Sequence, residues 1–311
     1  MLNDEHLAEI GERVGHFEAR KMRAAKRLAA IEGRHWYFAI LGLACDANEL
    51  TLAPLAKLQR VTEPPGEIEL AAALENKLIF SAIGRYAHQI QYELAVNREH
   101  FGDDQQAFNI AWWVISALRI RTLSEILIPA VADHSWSTIA AVTNGSCHAQ
   151  LLEDVPQARR LSDPVRVEQI DLEWVGSNLD SFANLLEQPK FRLAVESLST
   201  HHFSTSERMM AATLWAGIEA LFEIQSELRF RLAVVIASVL EPRGEARRTL
   251  YQLVKKLYDT RSKAVHGSPL TKVKIEEHIL EVRKILSRLL CRFVETGSVP
   301  TEEQLEELIF G

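Results

Sequence analysis

Two side chains near the C-terminal end of the chain are of types that grip anions and move protons: Arg261 and His266. Arg261 stands four residues after Leu257 and three before Ala264, so on a helix its stem lies along the apolar stripe and its guanidinium snorkels into a groove or an interface. Five residues on, His266 precedes Gly267, Ser268 and Pro269. That order is expected where a helix stops at glycine with proline beyond, and it makes His266 the last helical residue. The negative end of the helix dipole favours imidazolium there, which suits a histidine that shuttles a proton near neutral pH. Histidine is equally favourable in the last turn of any helix, so a purely structural reading stays open at this point.

Other residues could serve this pair. Glu219 lies between Trp215 and Phe222 on a mostly apolar segment, where a carboxylate could orient Arg261 or His266. Glu219, Glu223 and Glu227 are also spaced four apart, as on a solvated acidic stripe of one continuous helix. Tyr258, one turn before Arg261, could stack on a base or bond a phosphate, and Ser262 and Lys263 follow the arginine directly. Arg229, Arg231, Arg247, Arg248, Lys255 and Lys256 could track a nucleic-acid backbone or be plain surface charge. The pair His201-His202 has no Cys, Asp or Glu pattern beside it and is read as no metal site. There is no P-loop and no Gly-x-Gly-x-x-Gly, so neither nucleotide hydrolysis nor a dinucleotide cofactor has a motif. No metal and no cofactor is expected.

The elements that must position these residues follow from periodicity and punctuation. A helix over about 206–223 can be capped by Ser206, a second runs from Leu228 to about Leu240 before Pro242, and a third covers 245–266. A last helix carries Ile275, Ile279, Val282, Leu286, Leu289 and Phe293 on one stripe. Upstream, residues 4 to about 45 read as one long helix or two in series, and helical patterns return over about 67–97 and 105–128. Asn144-Gly145 centres a small β element within Ser137 to Leu152, and helix resumes from about 168. The Ser, Thr and His cluster near Leu198 to Ser204 suggests two domains, 1–198 and 199–311.

Composition narrows the class. The chain has 311 residues, 47% of them hydrophobic and 25% charged, which excludes disorder and fibrous repeats. The stretch from Ala111 to Ile120 contains Arg119 and is far short of a bilayer span, so no membrane segment is expected. The acidic start, Asn3-Asp4-Glu5, reads as no export signal, and three scattered cysteines fit a reducing, cytoplasmic setting. Net charge is −7, yet residues 207–292 hold 16 Lys/Arg against 10 Asp/Glu, so this segment alone is suited to approaching phosphates.

The ordered series Phe203-Ser204, Ile218-Glu219-Ala220-Leu221-Phe222, Glu227 to Ala233, and Leu257-Tyr258-Asp259-Thr260-Arg261-Ser262-Lys263-Ala264-Val265-His266-Gly267 resembles Apea-like domains of the HEPN superfamily. The resemblance covers roughly 200–295 and is most specific over 258–267; the first two hundred residues match only loosely. It implies a C-terminal HEPN-like helical bundle; with the patterns upstream, the expected protein is mainly α, that bundle preceded by a mostly helical N-terminal domain with a small β element. It further implies that Arg261 and His266 correspond to the superfamily's ribonuclease motif, and that active members act as homodimers, many as toxins or antiviral effectors. The chemistry fits the residue types. RNA brings its own nucleophile in the ribose 2′-hydroxyl, so Arg261 holding the phosphate and His266 transferring protons need no metal and leave 2′,3′-cyclic phosphate and 5′-hydroxyl ends. RNA and a second copy of the chain are therefore the expected partners, with the N-terminal domain sensing a trigger or partner protein. Where active members often carry Asn, Asp or His after the arginine, this chain has Ser262, which keeps a non-catalytic dimerisation or RNA- or protein-binding module as the alternative.

Overall fold

Strand propensity and burial, more than helix propensity, organise the first part of the chain. A computed structural model describes residues 4–53, 56–99, 103–158, 165–224 and 227–311. Contacts divide the chain into one unit of Met1–Ala111 with Ile126–Val155 and another of Trp112–Glu125 with Pro156–Gly311. The chain is mainly helical, and among the described residues no helix is long and apolar enough to cross a membrane.

The first unit holds α1 (Asp4–Ala29), β1 (His35–Ile40), β2 (Glu49–Ala53), β3 (Ala56–Arg60), α2 (Glu67–Ala73), α3 (Lys77–Ile83), β4 (Tyr92–Asn97), the start of α4 (Asp104–Thr122), β5 (Ala130–Ala132) and β6 (Ala149–Leu151). The strands form one antiparallel sheet ordered β2-β3-β4-β1-β5-β6. This corrects the helices expected up to residue 45 and through 97. His35-Trp36-Tyr37-Phe38-Ala39-Ile40 and Tyr92-Glu93-Leu94-Ala95-Val96 are almost wholly buried central strands, in which burial on both faces replaces alternation and tertiary burial overrides a weak helix propensity. Gly33, at φ 76°, turns the chain from α1 into β1.

Asn144 and Gly145 do adopt positive φ, 60° and 67°, as their pairing suggests. Their turn does not join adjacent strands tightly. A 3-10 turn over Ile139–Ala141 intervenes, and Gly145 N–H instead donates to Ala72 O at 3.1 Å. Glu93 is completely buried in β4, where Gln59, Ser135 Oγ and the Trp136 N–H all donate to its carboxylate. Burial outweighs those bonds and pushes its pKa up to about 7.

The second unit contains the rest of α4 and α5 (Gln169–Leu185), α6 (Pro189–Thr200), α7 (Glu207–Phe222), α8 (Leu228–Leu240), α9 (Glu245–Val265), α10 (Lys272–Thr296) and α11 (Glu302–Phe310). The first three helices expected after residue 205 stand within a residue of their expected limits, and α10 carries the expected stripe but extends three residues beyond it at each end. Ser206 caps α7 by accepting from Met209 N–H at 3.3 Å. The boundary expected at 198/199 falls inside this unit, because α6 packs tightly on α7 and buries Phe191, Ala194, Val195 and Leu198. His201 and His202 are likewise buried core residues, with His201 Nδ1 donating to Leu198 O at 2.7 Å.

Gly217 permits that packing. A Cβ there would stand 2.7 Å from Ser197 Cβ and 3.2 Å from Ala194 Cα. Gly217→Ala is therefore expected to destabilise the protein by about 1–3 kcal/mol through overpacking, although alanine is by about 1 kcal/mol the better helix former. Urea unfolding reads the difference, and a raised midpoint would show that α6 and α7 tolerate separation.

Candidate functional site

Helix α9 carries the two residues that matter most. Its buried stripe, Leu250, Val254, Leu257 and Ala264, fixes its rotation against α7 and α10. Arg261 emerges at the edge of that stripe and points across to Glu219 on α7. Its Nη2 lies 3.1 Å from Oε1 and 3.3 Å from Oε2, and each side chain is little more than a fifth exposed. The guanidinium carbon also sits 5.6 Å from the centre of the Tyr258 ring, within reach of its π face. Arg261 Nε is buried and has no hydrogen-bond partner among the described residues, so one donor of the fork is unused.

The acidic-stripe reading of Glu219 does not hold. Helix α7 ends at Phe222, Glu223 turns into the left-handed region at φ 51°, and Glu227 does the same at φ 50° before α8 begins. Glu219 thus stands apart from the other two, half-buried. Burial raises its pKa, and the facing Arg261 only partly opposes the rise. The Tyr258 hydroxyl is also raised, first by burial and then by Glu219, against the pull of Arg261.

Behind Tyr258 lies a part of the site that sequence reasoning passed over. Trp215 of α7 is fully buried, meets the Tyr258 ring edge-on at 5.3 Å, and donates from Nε1 to His278 Nε2 on α10 at 3.1 Å. As acceptor at Nε2, His278 is neutral, and burial lowers its pKa to about 4. Its position between Ile275 and Ile279 gives it away only as another stripe residue, and the spacing Trp215 to His278 carries no sequence signal.

His266 occupies the helix end the sequence assigns to it. It is the C-cap residue, its N–H donates to Ser262 O at 3.0 Å, Gly267 follows at φ 75°, and Ser268 N–H donates to Lys263 O at 3.0 Å. This is a Schellman ending. Its imidazole is exposed. Arg208, at the start of α7, binds the same helix end, with Nη1 2.8 Å from Ala264 O and Nη2 2.7 Å from Ser268 O. Arg208 therefore fixes the turn that carries His266, a role no local pattern announces.

Arg261 and His266 do not share one face. Five helical residues correspond to roughly 140° of rotation and about 7.5 Å of rise. Ser262, half-exposed, and Lys263, exposed, lie between them. The outlying basic residues are less available than the sequence suggests. Arg229 forks onto Asp259 at 2.6 and 2.7 Å, Lys255 stacks its ammonium 4.9 Å over Tyr251, and Arg247 donates to Glu241 O and Leu308 O. Arg231 lines a separate groove of about 690 Å³ with Lys190, Phe230 and residues of α11.

The arrangement offers a guanidinium held by Glu219 and Tyr258 and an exposed histidine at the end of the same helix, but not at one point of a single chain. Comparison of the chain with protein-family models, curated proteins and solved structures found no match.

Proposed function

We propose that the chain is a metal-independent endoribonuclease of the HEPN type, an effector in antiviral defence or stress. The observation that carries this reading is α9 itself, which presents a guanidinium steadied by Glu219 and Tyr258 and, at its Arg208-braced end, an exposed histidine. Arg261 holds the scissile phosphate and stabilises the charge that develops on it, while Glu219 orients the guanidinium. His266 moves the protons. Cleavage calls for a general base and a general acid, and one chain offers one exposed histidine at this helix end. Two copies about a two-fold axis supply the second and bring each His266 to its partner's neighbourhood, as an isologous interface requires. The first unit senses the trigger or restrains the second.

Refolding mixtures of wild-type and His266→Ala chains tests this directly. Activity is expected to follow the square of the wild-type fraction, because only dimers with both histidines cleave. A straight line, or a monomer that cleaves RNA, would refute the composite site.

The pairing of Arg261 with Glu219 also favours a second reading, in which the guanidinium is structural and the bundle is a non-catalytic module that dimerises or binds RNA or a partner protein. RNA binding without cleavage, unchanged in His266→Ala, is the outcome that would select it.

A further inference from the structure

In the first unit, away from the residues discussed above, three different donor types converge. Asp133 and His134 follow β5, and Cys147 stands just before β6. A carboxylate oxygen, a ring nitrogen and the thiol sulfur lie within 4.8 Å of one another. The β5–β6 ladder, with Ala132 opposite Ala149, continues into this corner: Asp133 N–H donates to His148 O, and His148 N–H donates to Asp133 Oδ1, both at 2.9 Å. The backbone therefore holds the donors in place without help from a ligand.

We infer that Asp133, His134 and Cys147 form a binding site for one divalent transition-metal ion of the zinc class. The donor set selects that class. Calcium and magnesium take oxygen ligands, whereas zinc and cobalt accept sulfur, imidazole nitrogen and carboxylate together. In a tetrahedral zinc site, bonds of about 2.0–2.3 Å put neighbouring donors roughly 3.5 Å apart, so donors that lie within 4.8 Å of one another need shift by only about an ångström. His134 Nδ1 now hydrogen-bonds Asp133 Oδ1 at 2.6 Å, so the ion takes the place of that hydrogen bond and the two groups part by about an ångström, while the His148 N–H supplies the kind of outer bond that fixes a ligating carboxylate.

Three protein ligands leave a fourth position. Asp133 and His134 also line a cavity of about 290 Å³, together with Tyr37, Arg98 and His35, and the buried His35 Nδ1 has no partner among the described residues. The fourth position opens to this cavity, for water or a small ligand. Without metal, Cys147 is a buried thiol whose pKa burial and Asp133 push up to about 12, so it is no nucleophile. The ion replaces the thiol proton, forming a metal–sulfur bond and releasing H⁺ to solvent.

The full-length protein, stripped with chelator and titrated with Co²⁺, tests the site. One equivalent is expected to bind with the visible bands of four-coordinate cobalt and a near-ultraviolet thiolate-to-cobalt absorption, both lost on adding Zn²⁺. Cys147→Ser should abolish the thiolate absorption, while Cys45→Ser and Cys291→Ser keep it. His134→Gln, at a partly exposed position that leaves the core intact, should weaken binding by about 10- to 100-fold or more. A folded wild-type protein that takes up no equivalent of Co²⁺, a thiolate band surviving in Cys147→Ser, or unchanged affinity in His134→Gln would each overturn the assignment. RNA cleavage plays no part in these readouts.

Discussion

Replacing His266 by Ala is expected to slow RNA cleavage by about 10²- to 10⁴-fold, the usual scale for losing a general acid or base, while unfolding free energy changes by no more than about 1 kcal/mol. The separation of the two effects follows from position. The ring is exposed, and the bonds that end α9 belong to the backbone and to Arg208, none of which the substitution touches. Arg261→Lys should lose a comparable 10²- to 10³-fold, since an ammonium keeps the charge facing Glu219 but not the planar fork. Single-turnover cleavage and thermal melting of the same preparations read both quantities. A His266→Ala protein that melts far below wild type would return the residue to a structural role, and one that cleaves normally would remove it from the chemistry.

The second large effect is on stability. Arg283 of α10 reaches Glu125 at 2.6 Å with both side chains 4% exposed, and it also donates to Leu123 O at 2.7 Å. Leu123, at φ 56°, is the left-handed residue that ends α4, so Arg283 pins a strained turn as well as pairing a buried charge. Arg283→Met is expected to cost about 3–5 kcal/mol, because it removes a buried cation 2.6 Å from the Glu125 carboxylate and the donor that holds Leu123 O. Adding Glu125→Gln should recover part of that loss, because a neutral amide tolerates the same burial better than a carboxylate that has lost this ion pair. Urea denaturation of the single and double variants decides the matter. A single variant within 1 kcal/mol of wild type would mean that the buried carboxylate does not depend on the Arg283 cation.

The second unit was largely legible in the sequence because its signals are local. Ser206 at a cap, Gly267 at a helix end and the 3.6-residue stripes of α9 and α10 are each written within a few neighbouring residues, and the structure places them accordingly. Arg261 was legible as a snorkelling side chain for the same reason. Its partner was not certain, since the spacing of Glu219, Glu223 and Glu227 imitates a helical stripe until two left-handed residues break the helix.

What stayed hidden depends on distant pairing. The strands at 35–40 and 92–97 lack a polar face because the sheet's centre buries both sides of them, and that burial exists only once β1 and β4 have met. The polar cluster at 198–204 reads as a linker, yet its two histidines are buried among core residues brought from elsewhere in the chain. Arg208 on the end of α9 and His278 under Trp215 act across 56 and 63 residues of sequence. Cys147 shows no ligand spacing because Asp133 and His134 reach it through the β5–β6 reversal.

The most direct test of RNA cleavage by Arg261 and His266 is incubation of the purified full-length chain with single-stranded RNA in excess chelator, followed by analysis of the new ends. The proposed chemistry needs no electrophile beyond Arg261 and no activated water. Any ion at Asp133, His134 and Cys147 would be stripped under these conditions without halting the reaction in the second unit. Cleavage that persists in chelator and leaves 2′,3′-cyclic phosphate and 5′-hydroxyl ends is the expected result. Activity lost in chelator and restored by a divalent metal, or fragments bearing 5′-phosphates, would contradict it.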